Sequence, residues 1–267
     1  QADVAEVWVK DERGRMGLGS FKALGAAYVI AHDASLGMAR GQTYVTASAG
    51  NHGMSVAAGA AAFGAASVVY IAEPVPEAFA LRLAEQGLLS DSSWPGYTAR
   101  PHRLMEGYLV LMAEVIAQMP RVPSHMFLQA GVGGLAGACA ALARKAWGDV
   151  PRIIVVEPEA APALHGSVAA GCPVESSGPV SDMGRLDCKM PSLIALKGLA
   201  RDADAYALIT EGEGQAGAGT AMVAGLPSTP SGAAGIAGLL ALTEAQRADI
   251  GLDATSVVFC VLSEGPE

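Results

Sequence analysis

Three short stretches combine residue types and spacings that suit chemistry on a bound anion and an amine. In "GLGSFKALGAAYVI" one lysine, Lys22, opens a run that is otherwise small and apolar. An ammonium buried without a partner is costly, so Lys22 is either put to use or extended to solvent along its alkyl stem. In "TASAGNHGMSVAAGAAAFG" the polar Ser48, Asn51 and His52 stand among glycines just before a run of small residues. Glycines let the backbone turn sharply and approach a ligand, while Ser48 and Asn51 offer hydrogen bonds at a helix start. A plain helix cap has the same pattern. In "QAGVGGLAG", Gln129 to Gly137, a strand end runs through a glycine loop into a helix. Such a loop presents backbone N–H groups and a helix N-terminus to an anion, most often phosphate, with a dinucleotide as the rival ligand.

Residues this far apart in sequence need a scaffold that returns repeatedly to one place. The runs "VWVK", "TYVT", "SVVYIA", "HMFLQA", "RIIVVEP", "AYALIT" and "SVVFCVLS" alternate with Ala/Gly/Leu-rich segments. That alternation predicts an α/β fold with a parallel sheet covered on both faces. Strands such as "RIIVVE" are apolar at consecutive positions, as strands buried on both faces must be. Helices are expected over Ser20–His32, Asn51–Gly64, Arg103–Met119, Gly134–Trp147, Pro191–Ala203 and Ser231–Leu242. A further helix is expected to end at Gly87, with no strand between it and the Trp94-Pro95-Gly96 turn.

The chain has 267 residues, 51% hydrophobic and 16% charged, with a net charge of −9. That is enough for one large domain or two sharing a cleft. No lysine/arginine cluster is present, so no nucleic-acid partner is expected. No apolar run is long and unbroken enough to span a bilayer, and no membrane association is expected. Cys139, Cys172, Cys188 and Cys260 are scattered without a CxxC pair, which suits free thiols in a cytoplasmic protein. The opening "QADVAEVWVKDERGR" shows no secretory signal pattern. No His/Asp/Glu group has metal-ligand spacing, so no metal is expected.

Taken in order, the Ser-Phe-Lys helix start, the Ser-x-Gly-Asn-His-Gly turn and the glycine loop resemble the fold-type II pyridoxal-phosphate enzymes, the tryptophan-synthase-β-like family. The resemblance implies two three-layer α/β/α domains with the cofactor in the cleft between them. The large domain would comprise residues 1–35 and 88–267, and the small domain residues 36–87, either reduced or incomplete. It implies that Lys22 forms the Schiff base with pyridoxal phosphate and that Asn51 bonds the cofactor's ring hydroxyl. Gly131, Val132, Gly133, Gly134 and Leu135 would bind the phosphate, and Ser263 in "VFCVLSEGPE" would face the pyridine nitrogen. Ser48, Ala49, Gly50 and His52 would hold the substrate carboxylate. Within the family, "SDSSWPGYTARPHRLMEGYLVLMAEV", "SHMFLQAGVGGLAGACAAL" and "VVEPEAAPALHGSVAAG" are similar to the 2,3-diaminopropionate ammonia-lyases. The implied activity is α,β-elimination on a small amino acid, giving a 2-oxo acid and ammonia, in a homodimer.

Two departures bear on substrate. Those lyases carry an aspartate before Gly-Asn-His, where this chain has Ala49; "SAGNH" looks like an L-threonine dehydratase at that place. Without an ionisable group there, selectivity for L-substrates is expected. In "SDMGRLDCKMPS", Arg185, Asp187 and Lys189 form either a solvated loop or a cationic pocket for a second acidic group, such as that of 3-hydroxyaspartate. Glu157 and His165 read as strand-end and helix polar groups. A serine, threonine or 3-hydroxyaspartate dehydratase is therefore the alternative activity, and a non-catalytic cofactor-binding protein the alternative of another class. A nucleotide-dependent oxidoreductase would leave Lys22 and Asn51 unexplained and has only Glu157 as its acidic strand-end residue.

Overall fold

The computed structural model describes residues 2–48, 50–70 and 88–266. Ala49, the outer part of "SVVYIA" and the helix end expected at Gly87 lie outside the described residues. Strands β1 (Glu6–Asp11), β4 (His125–Gln129), β5 (Arg152–Pro158), β6 (Ala205–Ile209) and β7 (Val257–Leu262) form one five-stranded sheet in the order β1-β7-β4-β5-β6. Every pairing in it is parallel. Strands β2 (Thr43–Thr46) and β3 (Ala66–Val69) make a separate parallel pair.

The consecutive apolar residues of the central strands divide cleanly between two cores, because side chains alternate across a pleated strand. Met126, Leu128, Ile153, Val155, Phe259 and Val261 join one hydrophobic cluster. Their neighbours Phe127, Ile154, Val156, Val258, Cys260 and Leu262 join the other. The first core is roofed by α1 (Lys22–Ser35), α3 (Ala99–Gln118), α4 (Gly134–Trp147) and α6 (Leu193–Asp202). It also takes in Val56 and Ala60 of α2 (Asn51–Ala62) and Tyr44 of β2, so it continues beneath the two-stranded sheet. The second core is covered by α7 (Glu211–Val223) and α8 (Ala234–Ala241).

Helix α3 starts at Ala99 rather than Arg103. Pro101 falls in its first turn, where no intrahelical N–H is required, so proline does not stop it. Leu88, expected to lie outside any strand, makes a parallel bridge with Val45. Helices α5 (Ala163–Ala170), α7 and α9 (Glu244–Ile250) were not among those expected from the pattern of apolar residues. Both α7 and α9 nevertheless begin with a reciprocal capping box, Thr210 with Glu213 and Thr243 with Gln246, legible as T-x-x-E and T-x-x-Q.

Candidate active site

The carboxyl ends of β2, β4 and β7 and the starts of α1, α2 and α4 converge on a cavity of about 600 Å³. This is where parallel α/β sheets bind ligands. Lys22 reaches it because the residues before α1 lie against those after β7. The Phe21 N–H donates to the Ser263 carbonyl at 3.0 Å, the Gly265 N–H to the Gly19 carbonyl at 2.9 Å, and Ser20 bridges Glu264. Lys22 and Ser263 therefore share the cavity although they stand at opposite ends of the chain.

Facing Lys22 Nζ is the carboxylate of Asp91, with which it forms an ion pair. Burial pulls the Lys22 pKa down, but Asp91 and then the nearby Tyr108 outweigh it, leaving the ammonium above the ordinary lysine range. Burial likewise pushes Asp91 up, and the Lys22 ammonium reverses that, so the carboxyl sits below its usual range. Both groups are charged at neutral pH. His52 is neutral: burial lowers its pKa, and its Nε2 lies 2.8 Å from the Leu89 carbonyl, which can only accept. Its Nδ1 is buried without a partner among the described residues.

The "WPGY" turn fixes the segment that carries Asp91. The Tyr97 hydroxyl accepts from the Ser90 N–H at 3.0 Å and donates to the Leu88 carbonyl at 2.8 Å. Its ring stacks on Trp94 at 4.4 Å between centroids. Below it, the Ser93 hydroxyl meets that of Ser192 at 2.7 Å and accepts from the Ile194 N–H at 3.0 Å, anchoring the segment to α6.

Asn51 opens α2, and its Nδ2 donates to the buried Glu264 carboxylate. The same carboxylate accepts from the Thr229 hydroxyl and stands 3.7 Å from Arg185 Nε. Glu264 thus sets the direction of the Asn51 amide and balances the Arg185 charge. Ser48, Gly50 and His52 line the cavity, and Gly50, the N-cap of α2, supplies no side-chain cap, leaving the helix's first N–H groups to a ligand. Ala49 is outside the described residues.

Gly131, Val132, Gly133, Gly134 and Leu135 form the wall below α4. Gly133 has φ +94°, and a Cβ there would lie 3.0 Å from both Ala195 Cβ and Leu164 Cδ1. A Cβ on Gly131 would lie 3.0 Å from Cys188 Sγ. Glycine alone keeps this backbone concave. Burial pushes the Cys188 thiol up to about 11, so it is an uncharged lining group.

The two cations of the 185–189 loop separate. Arg185 lines the cavity, whereas Lys189 Nζ donates to the Ala160 and Pro179 carbonyls, each at 2.7 Å, and pairs with Asp187 at 2.6 Å. Lys189 is a strut of the loop, because three oxygens hold its charge away from the cavity.

Glu157 is fully buried at the end of β5, and its two oxygens accept from the Leu164 and His165 N–H groups at 2.8 Å each, securing the start of α5. Burial pushes its pKa up to about 7 against those bonds. A carboxyl raised on folding contributes stability below its unfolded value and loses it as the pH rises through the folded one. The stability of Glu157→Gln relative to wild type is therefore expected to improve as the pH rises from the ordinary glutamate range to about 7. Urea unfolding at a series of pH values measures this, and a pH-independent difference would contradict the raised value.

The residues present fit pyridoxal phosphate. The glycine cradle and the first turn of α4 suit a phosphate, Lys22 supplies an amine, Asn51 a donor and Ser263 a neutral hydroxyl, all on one cavity. The hydroxyl of Tyr108, buried and on the same cavity, has no partner among the described residues and is open to a ligand atom. Asp91, Tyr108 and Glu264 were not singled out from the sequence; the signal for Asp91 was its place three residues before the Trp-Pro-Gly-Tyr turn. Among the described residues, no three His, Cys, Asp or Glu side chains stand together as metal ligands, and no helix is long and apolar enough to cross a membrane.

Known proteins resemble this chain in sequence and fold. The diaminopropionate ammonia-lyase of Salmonella typhimurium (strain LT2) is 31% identical over 247 residues, covering 72% of this chain and 61% of that protein. The chain thus spans about three fifths of the length of the curated relatives it matches. A crystal structure of the Escherichia coli diaminopropionate ammonia-lyase, in complex with an aminoacrylate-PLP azomethine reaction intermediate, superimposes with a TM-score of 0.82 at 25% identity, covering 99% of this chain and 81% of that one. The processed form of threonine deaminase isoform 2 from Solanum lycopersicum shares the fold, with a TM-score of 0.80 at 20% identity over 100% of this chain and 80% of that one. The family model for the pyridoxal-phosphate dependent enzymes matches residues 1–88 and 94–264, and the chain belongs to that family.

Proposed function

We propose that the protein catalyses α,β-elimination on a small amino acid, releasing a 2-oxo acid and ammonia, in the manner of a diaminopropionate ammonia-lyase. The observation that carries this reading is the Lys22–Asp91 ion pair, set in a cavity whose walls are Asn51, the glycine loop and Ser263. Bound pyridoxal phosphate supplies an electron sink for the charge left on the α-carbon when its proton departs. The chain supplies the remainder. Lys22 holds the cofactor and moves protons at Nζ, while the glycine loop and the first turn of α4 bind the phosphate. Ser263 offers the pyridine nitrogen a neutral hydroxyl. The start of α2 binds the substrate carboxylate through Ser48, Gly50 and His52. Asp91, held as a carboxylate, orients Lys22 Nζ and offers an acceptor to the substrate's second amine, with the His52 Nδ1 lone pair as another acceptor on the cavity.

In this reading residues 1–35 and 88–267 form the large domain and 36–87 the small one. A homodimer in the cytoplasm completes the proposal, the four free cysteines supporting the compartment.

A coupled assay for 2-oxo acid and ammonia across L- and D-diaminopropionate, serine, threonine and 3-hydroxyaspartate tests the activity. Release from L-diaminopropionate in preference to the hydroxy acids is expected; no release from any of them would overturn it in favour of a non-catalytic cofactor-binding protein. Ala49 carries no ionisable group, so L-selectivity is expected, and comparable D-turnover would show that another group, such as Asp91, serves the second face. Arg185 on the cavity favours the acidic-substrate alternative. If 3-hydroxyaspartate is the substrate, Arg185→Gln raises its KM about tenfold and spares serine; equal effects on both remove that alternative.

A further inference from the structure

We infer that the Tyr108 hydroxyl donates a hydrogen bond to the phosphate held at the start of α4, a role that rests on the family's cofactor occupying this cavity. Tyr108 belongs to α3, is 1% exposed, and lines the cavity. Its ring is gripped on three sides. A Cβ added at Gly25 of α1 would come 2.7 Å from Cε1, one added at Gly134 of α4 would come 3.5 Å from Cε2, and the Phe21 ring packs at 4.9 Å between centroids. Cε1 and Cε2 flank the phenol oxygen, so these contacts place the hydroxyl between α1 and the first turn of α4.

The hydroxyl has no partner there among the described residues. A buried hydroxyl without a partner destabilises a protein until something bonds it, so its position on the cavity points to a ligand atom. Burial raises the phenol pKa above its ordinary range, so at neutral pH the group is a donor and suits an anion. Its neighbour is a wall that lacks such a donor. The loop and first turn, "AGVGGLAG", contain no polar side chain. The N-cap of α4, Gly133, supplies no side-chain cap, and the first helical bond runs from the Gly137 N–H to the Gly133 carbonyl at 2.8 Å, leaving the earlier N–H groups facing the loop. Tyr108 adds a side-chain donor to a phosphate site otherwise built from backbone.

The test uses Tyr108→Phe, which keeps the ring and removes only the hydroxyl. Apoprotein prepared from the wild-type and variant holoenzymes is titrated with pyridoxal phosphate and with pyridoxal, which lacks the phosphate. A loss of about tenfold or more in affinity for pyridoxal phosphate is expected, the usual cost of one hydrogen bond to a charged group, with pyridoxal affinity unchanged. The variant apoprotein should also melt at or above the wild-type temperature, since no internal bond is lost. Unchanged affinity for pyridoxal phosphate, equal weakening of both ligands, or a drop of several degrees in the apoprotein melting temperature would each overturn the assignment. The readout is binding, so failure of the proposed elimination activity leaves this test intact and distinguishable.

Discussion

Lys22→Ala is expected to lower 2-oxo acid release by about a thousandfold or more, whichever amino acid proves to be the substrate. Among the described residues lining the cavity, Lys22 carries the only amine, and the other cation there, Arg185, carries a planar guanidinium instead. The substitution removes in one step the amine proposed to hold the cofactor and the group proposed to move protons at the α-carbon. It also leaves Asp91 without its cation. Both side chains retain access to water, at 20% and 25% exposure, so the orphaned carboxylate is hydrated or protonated and the fold survives. The measurement is steady-state ammonia release alongside a melting curve. A folded variant that turns over near the wild-type rate would remove Lys22 from the reaction.

Gly133→Asp is expected to weaken pyridoxal phosphate binding by about a hundredfold or more, through two separable causes. The first is backbone strain: φ is +94°, and any Cβ meets Ala195 and Leu164 at 3.0 Å. The second is charge, since a carboxylate at the loop repels the dianionic phosphate. Gly133→Ala carries only the first cause and should fall between wild type and the aspartate variant in a cofactor titration. Equal losses in the two variants would assign the whole effect to strain, and unchanged affinity in both would move the phosphate elsewhere.

The parallel sheet was legible because its central strands are apolar at every position, a pattern that a half-exposed strand does not produce. Lys22, Asn51 and the glycine loop stood out by residue type and spacing, each with a plain structural alternative, and Ser263 by the family resemblance alone; the fold brings all four to one cavity. Asp91 was not legible. Its meaning comes from a partner 69 positions away, and one aspartate in "SDSS" looks like any polar loop residue. Tyr108 was absorbed into the apolar face of α3, since nothing local shows that its hydroxyl lacks a partner. Glu264 was hidden by its neighbour Ser263, and only the fold brings Asn51, Thr229 and Arg185 around it. Lys189 misled for the opposite reason: the carbonyls of Ala160 and Pro179 that occupy it have no side-chain signature. Helix α7, rich in glycine and alanine, gave no apolar stripe, although its capping box was written in the sequence.

The pairing of β1 with β7, Glu6 beside Val257 through Asp11 beside Leu262, also governs when the site can exist during synthesis. On the ribosome, β1 and Lys22 emerge well before β7, which follows them by more than two hundred residues. Until then Phe21 has no Ser263 carbonyl to bond, and nothing sets the direction of the Asn51 amide. Contacts of such long sequence separation form slowly. A nascent chain arrested before Val257 should therefore remain unable to retain pyridoxal phosphate, however much of β4, β5 and β6 has already assembled.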